Sequence, residues 1–200
     1  MDWIKPPAIG DRRALAFEAE RAAARLVQKS VIIFCRIKAG PDRQKLFKER
    51  VFLEGLEISR WESFAAILAD LLVVAEGMLR ESAGESAPRM GEGLVGLYAE
   101  LLGKADHPSG GPGGWHAHIE HFRERLAQAR LAPPLAAGDV ASRSGNLVFD
   151  SLPMHKNYRK DDRPVIVNQI KFGVVSFGQD LERRMDVAAL AAELSGAERP

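Results

Sequence analysis

The sequence predicts an all-α fold, an irregular multi-helix bundle around a central apolar helix, and three observations predict it. Within residues 59–82, Phe64, Leu68, Leu71, Ala75 and Met78 recur at intervals of three and four, along one side of a helix. Val73 lies roughly opposite, and Ile67, Leu72, Val74 and Leu79 fill the girth between. A helix apolar on most sides is enclosed by neighbours on most sides. Within residues 11–39, Leu15, Ala19, Ala22, Leu26, Ser30, Ile33 and Ile37 stand at spacings of 4, 3, 4, 4, 3 and 4, which predicts one long helix. Lastly, helix starts and stops (Asp11, Gly40-Pro41, Asp42, Pro133-Pro134, Pro164, Asp186) divide the chain into helix-sized pieces.

The elements follow in order. Residues 1–10 contain Pro6-Pro7 and read as an extended arm anchored by Trp3 and Ile4. Asp11 caps the long helix, and Gly40-Pro41 stops it. Asp42 opens a segment to about residue 57, with Leu46, Phe47, Val51 and Leu53 on its apolar side. Gly55 or Ser59 either kinks this segment into the central helix or separates the two. Ser59-Arg60-Trp61-Glu62 has the form of a capping box, which would start the central helix there. Residues 89–104 predict a further helix; its Gly91, Gly93 and Gly96 weaken it or admit a close neighbour. Residues 106–114 are the clearest linker and a possible subdomain boundary in an otherwise single helical domain, 1–200. Residues 115–131 make an amphipathic helix through Trp115, Ile119, Phe122, Leu126 and Ala129. One short helix is expected within 139–152, and Pro164 fits the first turn of another. The β-branched content of 165–175 leaves an alternative, an α+β fold with a small hairpin near 164–177. Asp186 caps a last short helix, 187–194.

Bulk properties bound the function. A net charge of +1 on 200 residues excludes a polyanion binder by overall composition. The distribution is uneven: residues 1–50 hold 12 Lys and Arg against 6 Asp and Glu, and residues 51–100 hold 3 against 9. Those segments either face each other within the fold or a dimer, or form a basic surface. A single cysteine, Cys35, excludes an internal disulfide framework and reads as a packing residue. The central apolar run is broken by Asp70 and Glu76, so it predicts a buried helix rather than a membrane span. Together with the absence of an apolar signal-like segment at residues 1–13, this points to a cytoplasmic protein with no membrane association.

Candidate chemistry is sparse. Four of the five histidines fall between residues 107 and 121. His118 and His121, or His116 and Glu120, could share a cation along one helix, but neither pair completes the HExxH or ExxH pattern of known metal helices. No metal and no cofactor is therefore expected, and His118 is placed at the border of the apolar stripe, with His116 and His121 outward. The polar stretch 150–163 supplies the ligand-binding candidates Asp150, His155, Tyr158 and Arg159, with His118 from the neighbouring helix. There His155 would act as a base, Asp150 would orient it, and Arg159 or Arg163 would grip a carboxylate or phosphate. Asp70 and Glu76 are expected to look out through a polar seam of the central helix. Arg36, Lys38, Arg43, Lys45, Lys48 and Arg50 form a basic corner, with Phe47 the one aromatic among them, so nucleic acid is a third-ranked partner. The sequence contains no P-loop, GxGxxG, CxxCH or GxSxG motif. The leading expectation is thus a non-enzymatic helical protein acting through protein–protein contact and self-association as a homodimer. An enzyme or small-molecule-binding protein with a polar pocket at 150–163 is the alternative.

Overall fold

The described residues of the computed structural model are 6–107 and 114–196. Helix α1 (Arg12–Val27) begins at Asp11, whose carboxylate accepts the Ala14 N–H at 2.7 Å. The helical course continues through a π stretch, Gln28–Ile33, into α2 (Phe34–Lys38). A π turn adds one residue to the register. Burial therefore moves off the expected positions: Ile33 and Ile37 are 40% and 71% exposed, while Val31, Phe34 and Cys35 face the core. Gly40, at φ +50°, ends the course, as the Gly40-Pro41 stop requires. A short 3-10 turn, Gly40–Asp42, leads into α3 (Arg43–Leu46).

The central rod is α4 (Arg50–Ala83), and it is longer than its apolar pattern indicates. The Ser59–Glu62 capping box is not used, because the helix already runs from Arg50. Ser59 is fully buried, its hydroxyl 3.0 Å from that of Ser151. Leu71 and Leu79 are wholly enclosed and Val73 nearly so. Asp70 and Glu76 are wholly enclosed too, which corrects the polar seam. The reason lies in what covers them. Arg125 reaches Asp70 from one neighbouring helix, and the 131–136 segment crosses the Glu76 side, where a Cβ on Gly77 would stand 3.0 Å from Pro134.

Gly84, at φ +51°, turns the chain back into α5 (Ala87–Leu102). Next come α6 (His116–Ala129), α7 (Ala137–Val140), α8 (Ser142–Ser151) and α9 (Lys156–Arg159). The segment considered for a hairpin is instead α10 (Arg163–Arg184), with Pro164 in its first turn. Ile166, Ile170, Val174, Phe177 and Leu181 form its buried face; that 3.6-residue period wins over β propensity. Last is α11 (Val187–Leu194), capped by Asp186, which accepts the Ala189 N–H at 3.1 Å. Gly93 of α5 admits α11 closely: a Cβ there would lie 2.1 Å from the Leu194 carbonyl oxygen. Helices α1, α5, α6, α8, α10 and α11 all pack on α4.

The arm is held by Ile9, fully buried and bridged to the chain at Met185. Its N–H donates to the Arg184 carbonyl at 2.9 Å, and its carbonyl accepts from Asp186 at 3.0 Å. The expected anchors Trp3 and Ile4 lie outside the described residues, as do residues 108–113 of the linker. Among the described residues no helix is long and apolar enough to cross a membrane.

Candidate functional site

Trp115, just ahead of α6, organises the part of the molecule richest in chemistry. Its indole is buried, and the ring N–H donates to the Ala105 carbonyl at 2.9 Å, drawing the end of the α5–α6 connection onto α6. The rings of His107 and His118 meet its ring edge-to-face, at centroid distances of 4.5 and 5.2 Å. Trp61 of α4 packs on its other flank at 6.0 Å. One aromatic side chain thus fixes two imidazoles side by side.

Glu62, the next residue along α4, faces both. Its Oε2 lies 2.9 Å from His118 Nε2, and its Oε1 lies 3.4 Å from His107 Nε2. The three donor atoms fall within 4.8 Å of one another. The hydrogen bond from His118 holds the Glu62 carboxyl below the usual carboxylate range, against the opposing effect of burial. His118 Nδ1 is buried and has no hydrogen-bond partner among the described residues.

A cleft of about 360 Å³ opens beside Glu62 and His118 and runs between α4, α6 and α8. Tyr98 and Phe122 form part of its wall, 4.5 Å apart by centroid, and the Tyr98 hydroxyl donates to the Ala65 carbonyl at 3.1 Å. Burial pushes the Tyr98 phenol up, so it stays protonated. Arg125 and Arg143 stand at the opposite end, with His121 in contact with Arg143. Behind Arg125 lies Asp70, at 2.5 Å. Ser144 of α8 also bears on the Asp70 carboxylate and, with Arg125, favours its charged form. Burial pushes the Asp70 carboxyl up, with Arg125 opposing.

The residues proposed from sequence take other positions. Arg159 is buried and directs its Nε to the Met154 carbonyl at 3.1 Å and another nitrogen to the Phe149 carbonyl. Its donors close the C-terminal end of α8. Asp150 pairs with Arg163 at 2.6 Å on the surface. His155 Nδ1 accepts the Asn157 N–H at 3.3 Å, at the start of α9. His155 and Tyr158 do share a groove of about 310 Å³ beside Leu46 and Met154. His118 is not in that groove; it lines the α4–α6–α8 cleft. Cys35 is enclosed, and burial pushes its thiol up to about 12, which leaves it protonated and unreactive.

His116 and His121 are exposed and His118 half-buried, as the helical angle requires. Sequence reasoning sought partners for His118 along its own helix and missed Glu62 and His107. The signals available were the histidine clustering and a tryptophan adjacent to Glu62 and another near the histidines. No family model matches the chain, and no similar protein is found among curated proteins or solved structures.

Proposed function

We propose that this protein binds a divalent first-row metal ion through Glu62, His107 and His118. The convergence of three nitrogen and oxygen donors within 4.8 Å carries the reading. Two ligands of a tetrahedral ion at 2.0–2.2 Å stand about 3.4 Å apart; the histidines lie 3.4 and 2.9 Å from different Glu62 oxygens within a set spanning up to 4.8 Å, so the side chains would close in on the ion. Two imidazoles and one carboxylate suit zinc or ferrous iron, not calcium or magnesium, which take oxygen ligands. Three protein ligands leave a coordination position for water or a substrate, the arrangement of a reactive rather than a purely structural ion. Metal on His118 Nε2 would place the ring proton on Nδ1, which lacks an acceptor. A missing outer partner costs about 10- to 100-fold in affinity, so moderate rather than tight binding is expected.

Equilibrium dialysis against zinc tests this. One equivalent per chain, lost in Glu62→Gln and in His118→Ala, supports the reading; no uptake, or full uptake by both variants, sinks it.

A second reading, self-association, draws on exposed apolar side chains elsewhere. Phe17, Ile37, Val165 and Phe172 of α1, α2 and α10 are 61%, 71%, 57% and 76% exposed. Light scattering would read a dimer if such side chains pair with a second copy.

A further inference from the structure

We propose that the cleft between α4, α6 and α8 holds a small oxyanion, a carboxylate or phosphate group, gripped by Arg125 and Arg143. Where the metal reading holds, the same molecule reaches the ion's open position. The inference rests on that reading for the metal end only; the arginine end stands on its own geometry.

Two of the three metal donors, Glu62 and His118, line the same cleft as Arg125 and Arg143. One bound molecule therefore has a cationic centre at each end. Its volume, about 360 Å³, is at the small end for ligand sites, which restricts the occupant to a compact molecule. Arg143 is exposed and Arg125 is partly so, its side chain 17% accessible. Among the described residues Arg125 meets Asp70 through Nη2 at 2.5 Å, and Arg143 meets His121 through Nη2. A guanidinium with unspent donors presents a planar fork, the shape that carboxylate and phosphate oxygens match. The aromatic walls lower the local dielectric and strengthen that attraction. The same two arginines also border a second cavity of about 380 Å³ beside Asp139, so they stand on the divide between the two. Glu62, which would be a metal ligand, is the carboxylate in the cleft's described lining; Asp70 lies behind Arg125, where burial opposes its charged form, and Asp139 faces the two arginines from the second cavity.

Isothermal titration of malonate, and separately of inorganic phosphate, into zinc-loaded and metal-free protein tests the proposal. Arg143→Gln is the diagnostic variant, because its exposed side chain is not needed to fold the chain. Anion binding to the wild type should weaken about tenfold or more in Arg143→Gln, the size of one charge-assisted hydrogen-bond pair, while the zinc dissociation constant stays unchanged. Tighter anion binding in the zinc-loaded protein would place the ion in the same site. Malonate preferred over phosphate, or the reverse, identifies which oxyanion the cleft selects. Equal anion affinity in wild type and Arg143→Gln overturns the proposal, as does the absence of anion binding by either form of the wild type. Failure of zinc uptake alone, with Arg143-dependent anion binding intact, would remove the metal reading and leave the arginine end standing.

Discussion

Asp70 and Glu76 sit on the same helix, both wholly buried, both beside an arginine, and they are solved in opposite ways. Glu76 receives Arg80 Nε and Nη2 at 3.1 and 2.6 Å, and the third guanidinium nitrogen donates to the Ala132 carbonyl at 2.7 Å. Every partner there is directed, and the 131–136 segment lies across it. Asp70 receives Arg125 at 2.5 Å, with Ser144 beside it, and both of those partners line the cleft. A buried carboxylate whose burial outweighs its partners, as at Asp70, beside a cleft with histidines marks a candidate site.

The largest expected effect is at the Glu76–Arg80 pair. Glu76→Ala leaves the Arg80 donors without their carboxylate and should lower stability by about 3 kcal/mol, read from urea midpoints at pH 7. Next is the metal: zinc at about 100 times its dissociation constant should stabilise the wild type by about 2.7 kcal/mol and leave His118→Ala unmoved. Asp70→Asn should change stability by less than about 1 kcal/mol at pH 7, because the desolvation it removes offsets the ion pair it loses. A loss as large as that of Glu76→Ala would erase the contrast between the two carboxylates.

Titration sharpens the same comparison. Burial raises the Asp70 pKa in the fold above its ordinary value of 3.8, so over that interval the folded chain binds more protons than the unfolded one. Asp70 therefore contributes a fall in stability as pH rises from about 4 through its folded value. Asp70→Asn should flatten that part of the pH–stability curve; an unchanged slope would mean that Asp70 is charged throughout. The smallest effect is Arg143→Gln on stability, within about 0.5 kcal/mol, since Arg143 is exposed. That variant is expected to matter for binding only.

Much of the fold is legible in the chain because helix signals are local. Asp11 and Asp186 cap the helices that follow them, Gly40 takes the positive φ of a helix stop, and Pro164 sits in a first turn. Two local signals misled for physical reasons. The Ser59–Glu62 capping box is spent sideways, because α8 brings the Ser151 hydroxyl to Ser59 and the helix already runs through. The stripe through Ile33 and Ile37 loses phase because a π turn, invisible to a period of 3.6, shifts the register. Arg159 was legible as a group that grips oxygens; that these oxygens are backbone carbonyls of its own neighbourhood was not.

By itself the sequence determined the helical class, the apolar girth of α4 and the caps that start and stop the chain's turns. Each of these depends on residues within a few positions of one another. Tertiary packing alone decided which carboxylates are enclosed, and it set Glu62 against His118, 56 residues further along the chain. Contacts of that range are fixed by how helices cross and by what Trp115 pins between them, and spacing along one strand of sequence carries no record of it.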